Sequence, residues 1–302
     1  MTQQDEIERP GWEEAAERLE VVLTNPVFLT GLRAPLVGIA VAPHVMAYAT
    51  LDGSLLPAAL ATTWEKSFAE ILARAIANLE RAPPRLVTDG GLARLETRDG
   101  CVASRVLLPG FFDAFEEVVG GRPICAIPEA GTCLLANAND DDAVIHLHEA
   151  AFDAWRESSA PLSPVVYQPA GEGFAPLELH EGHPATPAAR RAAALLLASA
   201  YADQAASFEG ADDRPLFAPF EIAPHEELGV VTCTVAVRGV EALLPETDLV
   251  MLREAEDEAG ARLVPRATLE RARLLVPVPD FDPPRFGLVA FPAEGTDGEP
   301  LG

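Results

Sequence analysis

Between Phe68 and Leu79 the apolar residues fall at Phe68, Ile71, Leu72, Ala75 and Leu79, the three- and four-residue spacing that lines one face of a helix. Ser67 and Glu70 form a capping-box pattern at its start, and Pro83-Pro84 forbids continuation because proline has no amide hydrogen. The same spacing at Trp12, Ala15, Ala16, Leu19 and Leu23 predicts a helix over 11–23, broken by Asn25-Pro26. Phe111, Phe112, Phe115, Val118 and Val119 predict another, which Gly120-Gly121 ends. Val144, Leu147, His148, Ala151, Phe152 and Trp155 share the face of a third, for which Asp142 is the expected cap. From Thr186-Pro187 to about Phe208 an Ala- and Leu-rich run is apolar most of the way round, as a long buried helix would be.

Elsewhere the pattern alternates or forms short β-branched runs. Residues 35–42 and 45–51 flank Pro43-His44, and Asp52-Gly53 turns the chain after them. Two pieces within 85–97 flank Asp89-Gly90-Gly91, and 123–136 is an apolar run interrupted by Pro128–Gly131. Residues 161–168 return through Gly171 and Gly173 into 174–179. Beyond Pro215 the pattern is mostly β, at 216–222, 230–237, 248–253, 261–265, 274–278 and 286–291, with prolines in the gaps. These elements predict an α+β protein: a mixed α/β N-terminal domain followed by a β-rich C-terminal region, with a long connecting helix. The boundaries expected are a helical appendage at 1–30, an α+β domain at 31–180, and helix plus β-rich domain at 181–302. The segment Ile127–Leu135 echoes Leu244–Leu252, so a duplicated strand-turn-strand unit would place both in equivalent strand orders.

Asp99-Gly100, Ala103-Ser104, an aromatic-led helix, a strand closing on Ile127-Pro128, a second strand, a helix and then Pro164–Tyr167 follow in an order that resembles the YtpQ-like bacterial domain of unknown function. Trp64–Ser67 and the helix ending Ala77–Pro83 resemble the segment that precedes that core. The likeness spans roughly 35–177, while 178–302 has no counterpart in the short family members. It implies a shared domain fold and carries over no catalytic residue.

Composition narrows the function classes. With 302 residues and 49% apolar content the chain can bury a large core in about two domains. A net charge of −25 argues against a nucleic-acid surface, which needs clustered arginine and lysine, and Lys66 is the only lysine. The same acidity repels anionic membranes, and the run Ala192–Ala202 is too short to span one. The start, MTQQDEIERPGW, has neither a basic nor an apolar leader region, so no secretory signal is expected. Cys101, Cys125, Cys133 and Cys233 lack CxxC spacing and sit in apolar contexts, which favours buried reduced thiols and a cytoplasmic location.

Candidate chemistry is sparse. His180-Glu181-Gly182-His183 offers two imidazoles and a carboxylate, and His180 and His183 are the metal-ligand candidates. Their spacing is not that of a helical HExxH site, and Gly182 and Pro184 oppose a helix, so a solvated linker is the plainer expectation. His146 and His148 point to different helix faces, with His148 expected as a hydrogen-bonded residue at the core edge. Asn137, Asn139, Asp140, Asp141 and Asp142 lack the spacing of a calcium loop. Ser104 and Cys125 are the nucleophile candidates, without a GxSxG elbow or a local base. No cofactor motif is present, and Gly120-Gly121 follows a helix where a phosphate-binding loop precedes one. The expectation is therefore a non-enzymatic module that binds a protein partner, with a basic surface as the complementary class. The alternative is a hydrolase-like or metal-dependent enzyme assembled in three dimensions from His44, Ser104, His146, His180, His183 and His225.

Overall fold

The computed structural model describes residues 10–25, 35–171, 173–210, 214–254 and 257–292. Two acidic clusters of the sequence, at 5–8 and 212–213, lie outside the described residues. The chain is an α+β protein that divides into two compact units, residues 1–183 and 184–302, a division three residues later than the sequence boundary.

In the first unit α1 (Trp12–Ala16) is a single short turn, and β1 (Leu19–Thr24) follows it. The helix expected to reach Leu23 therefore stops early. Leu19, Val21 and Leu23 alternate inward along the strand, and all six residues pair antiparallel with the strand Val45–Leu51. This segment is thus part of a sheet and of the main core, and is not a separable helical appendage. β2 (Gly38–Ala42) pairs with the other edge of β3 (Val45–Leu51), and β4 (Ser54–Leu55) closes the turn.

After α2 (Ala58–Thr63) comes α3 (Phe68–Leu79), which has the expected capping box: Ser67 Oγ accepts from the Glu70 amide while Glu70 accepts from the Ser67 amide. Its buried Ile71, Leu72, Ala75 and Leu79 pack on the β1 side of the sheet. Phe68 is instead exposed.

β5 (Arg85–Asp89) and β6 (Leu92–Glu96) form the edge of a second, six-stranded sheet. The expected aromatic helix at 111–119 is broken up: 111–112 are turn, Asp113–Phe115 is a 3₁₀ turn, and only α4 (Glu116–Val119) is α-helical. Phe111, Phe112 and Phe115 cluster edge to face at 5.1–5.3 Å and are all buried. Inserting three rings into the core over five residues favours tighter turns than one helical face supplies. Gly120 ends the helix at φ 73°, the left-handed geometry expected there.

β7 (Pro123–Glu129) and β8 (Thr132–Asn137) occupy the centre of this sheet. Both faces of the pair are buried: Cys125, Ile127, Cys133 and Leu135 join the main core, while the opposite face lies under α5 (Asp141–Glu157). That double burial explains why these strands read as a nearly continuous apolar run. Asp140, not Asp142, caps α5, accepting from the Ala143 amide at 3.1 Å. β9 (Val166–Ala170) and β10 (Gly173–Pro176) complete the sheet as a hairpin, in the order β10-β9-β7-β8-β6-β5.

The second unit opens with α6 (Thr186–Ser207), whose Ala192, Leu196, Ala200, Tyr201 and Gln204 are buried. A four-stranded sheet follows, ordered β11 (Glu221–His225), β12 (Gly229–Val237), β14 (Leu249–Glu254) and β15 (Asp257–Pro265), with β12 and β14 parallel. β13 (Leu244–Pro245), β17 (Arg285–Leu288) and β16 (Leu275–Val278) form a three-stranded sheet, and α7 (Arg266–Arg271) is a helix that the alternation did not disclose. Ile127–Leu135 is an antiparallel hairpin, whereas Leu244–Leu252 is split between two sheets, so the two segments are not a duplicated unit. No described helix is long and apolar enough to cross a membrane.

Candidate metal centre

The stretch after β10 carries the candidates His180 and His183 to the start of α5. It does so through a four-residue turn: the His183 amide donates to the His180 carbonyl at 3.1 Å, and Gly182 sits at φ 76° in the position that needs a left-handed residue. A turn brings two imidazoles three residues apart onto one side, as a strand would not. Their ring centroids stand 4.9 Å apart.

Asp141, the first residue of α5, completes the group. Its Oδ1 lies 3.4 Å from Nε2 of His183, and one ligand atom from each of Asp141, His180 and His183 falls within 4.8 Å of the other two. The side chain of His183 is only 4% exposed, while Asp141 and His180 face solvent. Nδ1 of His180 is 3.0 Å from the Glu181 carbonyl. A carbonyl can only accept, so Nδ1 carries the proton and Nε2 is left with a free lone pair. Among the described residues this is the one group of three or more histidine, cysteine and acidic side chains close enough to share an ion.

His148 lies farther along the buried stripe of α5, 3% exposed, and neither ring nitrogen has a hydrogen-bond partner among the described residues. The expected hydrogen-bonded role at the core edge is therefore not what it has. Burial first, and the His183 imidazole second, push its pKa down to about 4, so it is neutral at pH 7.

The other sequence candidates are employed elsewhere. Nδ1 of His146 lies 3.2 Å from the Gly90 carbonyl, and Nδ1 of His225 accepts from the Glu227 and Leu228 amides. His44 occupies the left-handed position between β2 and β3 at φ 57°. Ser104 is buried in a 3₁₀ turn. Burial, then the adjacent Cys133 thiol, pushes the Cys125 pKa well up, which removes it as a nucleophile. Asn137 bonds the Gly120 carbonyl and the Asn139 amide, and Asp140 caps α5, so these two side chains are committed within the loop. The four cysteines are free thiols, three of them buried.

Sequence reasoning found two of the three grouped residues and set Asp141 among loop carboxylates. Compared with protein-family models, curated proteins and solved structures, the chain matches none.

Proposed function

We propose that the first unit binds a divalent transition-metal ion of the zinc class through Asp141, His180 and His183. The observation that carries this reading is the His183–Asp141 separation. Two donors each about 2.1 Å from a tetrahedral ion stand about 3.4 Å apart, which is the 3.4 Å between Nε2 and Oδ1. The remaining donor pairs need only side-chain adjustments, and the tautomer of His180 presents Nε2 as a ligand. Two imidazoles and a carboxylate suit zinc better than calcium, which takes oxygen ligands throughout.

Three protein ligands leave a coordination position open, the pattern of catalytic more than structural zinc. An ion held there would acidify a bound water and make hydrolysis the available reaction class. This favours the metal-dependent alternative over the non-enzymatic module. A protein partner is supported by the charge of −25 alone. The YtpQ-like relationship is supported by element order: the capped α3, the β7–β8 pair and α5 succeed one another as that resemblance implies. The free thiols support a reducing compartment, the cytoplasm.

Cobalt(II) titration of the chelator-treated full chain tests the metal reading. Tetrahedral visible bands saturating at one equivalent and displaced by zinc are expected, with affinity at least tenfold weaker in His183→Ala and Asp141→Asn. Binding unchanged in both variants, or no binding, overturns it.

A further inference from the structure

A second site lies wholly within the second unit. A cavity of about 620 Å³ is lined by Tyr201 and Ala205 of α6, by Leu216, Phe217 and Phe220, and by Arg285 of β17. Such a volume is that of a small-molecule pocket. Its walls are mainly alanine, proline, leucine and phenylalanine, with two charged members: Arg214, which is exposed, and Arg285, which is buried.

Arg285 is 1% exposed. Its guanidinium is stacked between two rings, 4.5 Å from the centroid of Tyr201 and 4.6 Å from that of Phe217. Nε donates to Oε1 of Gln204 at 2.6 Å, and Nη1 donates to the carbonyls of Ala218 and Leu243. Gln204 is itself held by its donation to the Pro283 carbonyl. Nη2 makes no hydrogen bond to a described residue, and no described carboxylate pairs with this arginine. Burial consequently holds its pKa down to about 10. A guanidinium removed from water ordinarily meets an anion. Here the rings and carbonyls fix it in place but, among the described residues, leave the charge uncompensated on the wall of a cavity.

We propose that this cavity binds a small monocarboxylate with an aliphatic or aromatic body, its carboxylate on Nη2 of Arg285 and its body against Phe217 and Phe220. One buried positive charge matches one negative charge. A phosphate dianion would bring a second charge into walls that are mainly apolar, and only Arg214, at the edge of the described segment, could meet it. The planar fork of arginine suits a carboxylate, and the stacked rings restrict its rotation, so little ordering remains for binding to impose.

The test is thermal shift and calorimetry on the full chain with octanoate and phenylacetate, each beside its uncharged amide, and with inorganic phosphate. Both carboxylates are expected to raise the melting temperature by several degrees at concentrations well above their dissociation constants, and the amides much less. Arg285→Met should abolish the difference. Because that variant may fold poorly, Ala205→Leu, on the helix wall of the cavity, serves as the second probe and should weaken both carboxylates at least tenfold while leaving the fold intact. Equal shifts from acids and amides, no shift at all, or binding indifferent to Ala205→Leu overturns the proposal. A phosphate response equal to that of octanoate overturns the assignment of a monocarboxylate.

Discussion

Asp99 accepts a hydrogen bond from the fully buried guanidinium of Arg105, whose other terminal nitrogen donates to the Leu79 carbonyl at the end of α3. The pair ties the loop after β6 to the helix that packs on the first sheet. Burial disfavours the Asp99 carboxylate, but hydrogen bonds from the Cys101 amide and from Arg105, with the charge of that guanidinium, outweigh it and hold its pKa below the ordinary 3.8. Asp99→Asn leaves a buried charge without its partner and is expected to cost about 2–4 kcal/mol. A depressed carboxylate pKa stabilises the fold above the unfolded value and loses that contribution as pH falls through the folded one. Urea unfolding should therefore show the gap between wild type and Asp99→Asn wide at about pH 7 and narrower below about pH 3. A gap independent of pH would show that the charge is not what Asp99 contributes.

His148 makes the opposite case. Two buried ring nitrogens without partners each cost on the order of 1–3 kcal/mol relative to hydration. Leucine would continue the stripe of Val144, Leu147 and Ala151 and remove both. His148→Leu is expected to hold or raise the melting temperature of the metal-free protein. A loss above about 1 kcal/mol would mean that the imidazole has a partner that matters to the fold.

The capping box of α3 is a local device, and local devices were legible. Ser67→Ala should cost about 1 kcal/mol by chemical denaturation, because the Glu70 amide loses its acceptor. A negligible effect would show that packing of Ile71, Leu72 and Ala75 alone sets the start of the helix.

Where local signals conflicted, the sequence misled. Leu19 and Leu23 are four residues apart, a spacing that suits one helix face and one strand face equally. Val21, buried between them, decides for the strand, and β3 supplies the partner that makes the decision. The aromatic run at 111–115 had helical spacing but the packing of a cluster of rings. In the candidate metal centre, His180 and His183 were visible as a pair, yet their spacing looked wrong because a helix was the reference. Gly182 held the geometry that makes a turn do the same work. Asp141 could not be joined to them, since its place depends on β9 and β10 returning the chain to the start of α5. Arg285 was less legible still: an arginine in a short β run gives no sign that it is buried and lacks a carboxylate.

Gly229 offers the sharpest test of packing in the second unit. It begins β12 at φ 74°, and a Cβ there would stand 2.7 Å from the Cβ and 3.0 Å from the Cα of Pro187, in the first turn of α6. The obstacle is a proline ring and backbone, which cannot rotate aside as a long side chain would. Left-handed backbone costs a residue with a Cβ about 1–3 kcal/mol before any clash is counted. Gly229→Ala should therefore destabilise by at least about 2 kcal/mol, and it should do so by separating α6 from β12. Hydrogen exchange would show this as faster exchange concentrated in residues 186–207 and 229–237. A uniform, small effect across the unit would mean that α6 shifts freely, and that its close approach to β12 contributes little.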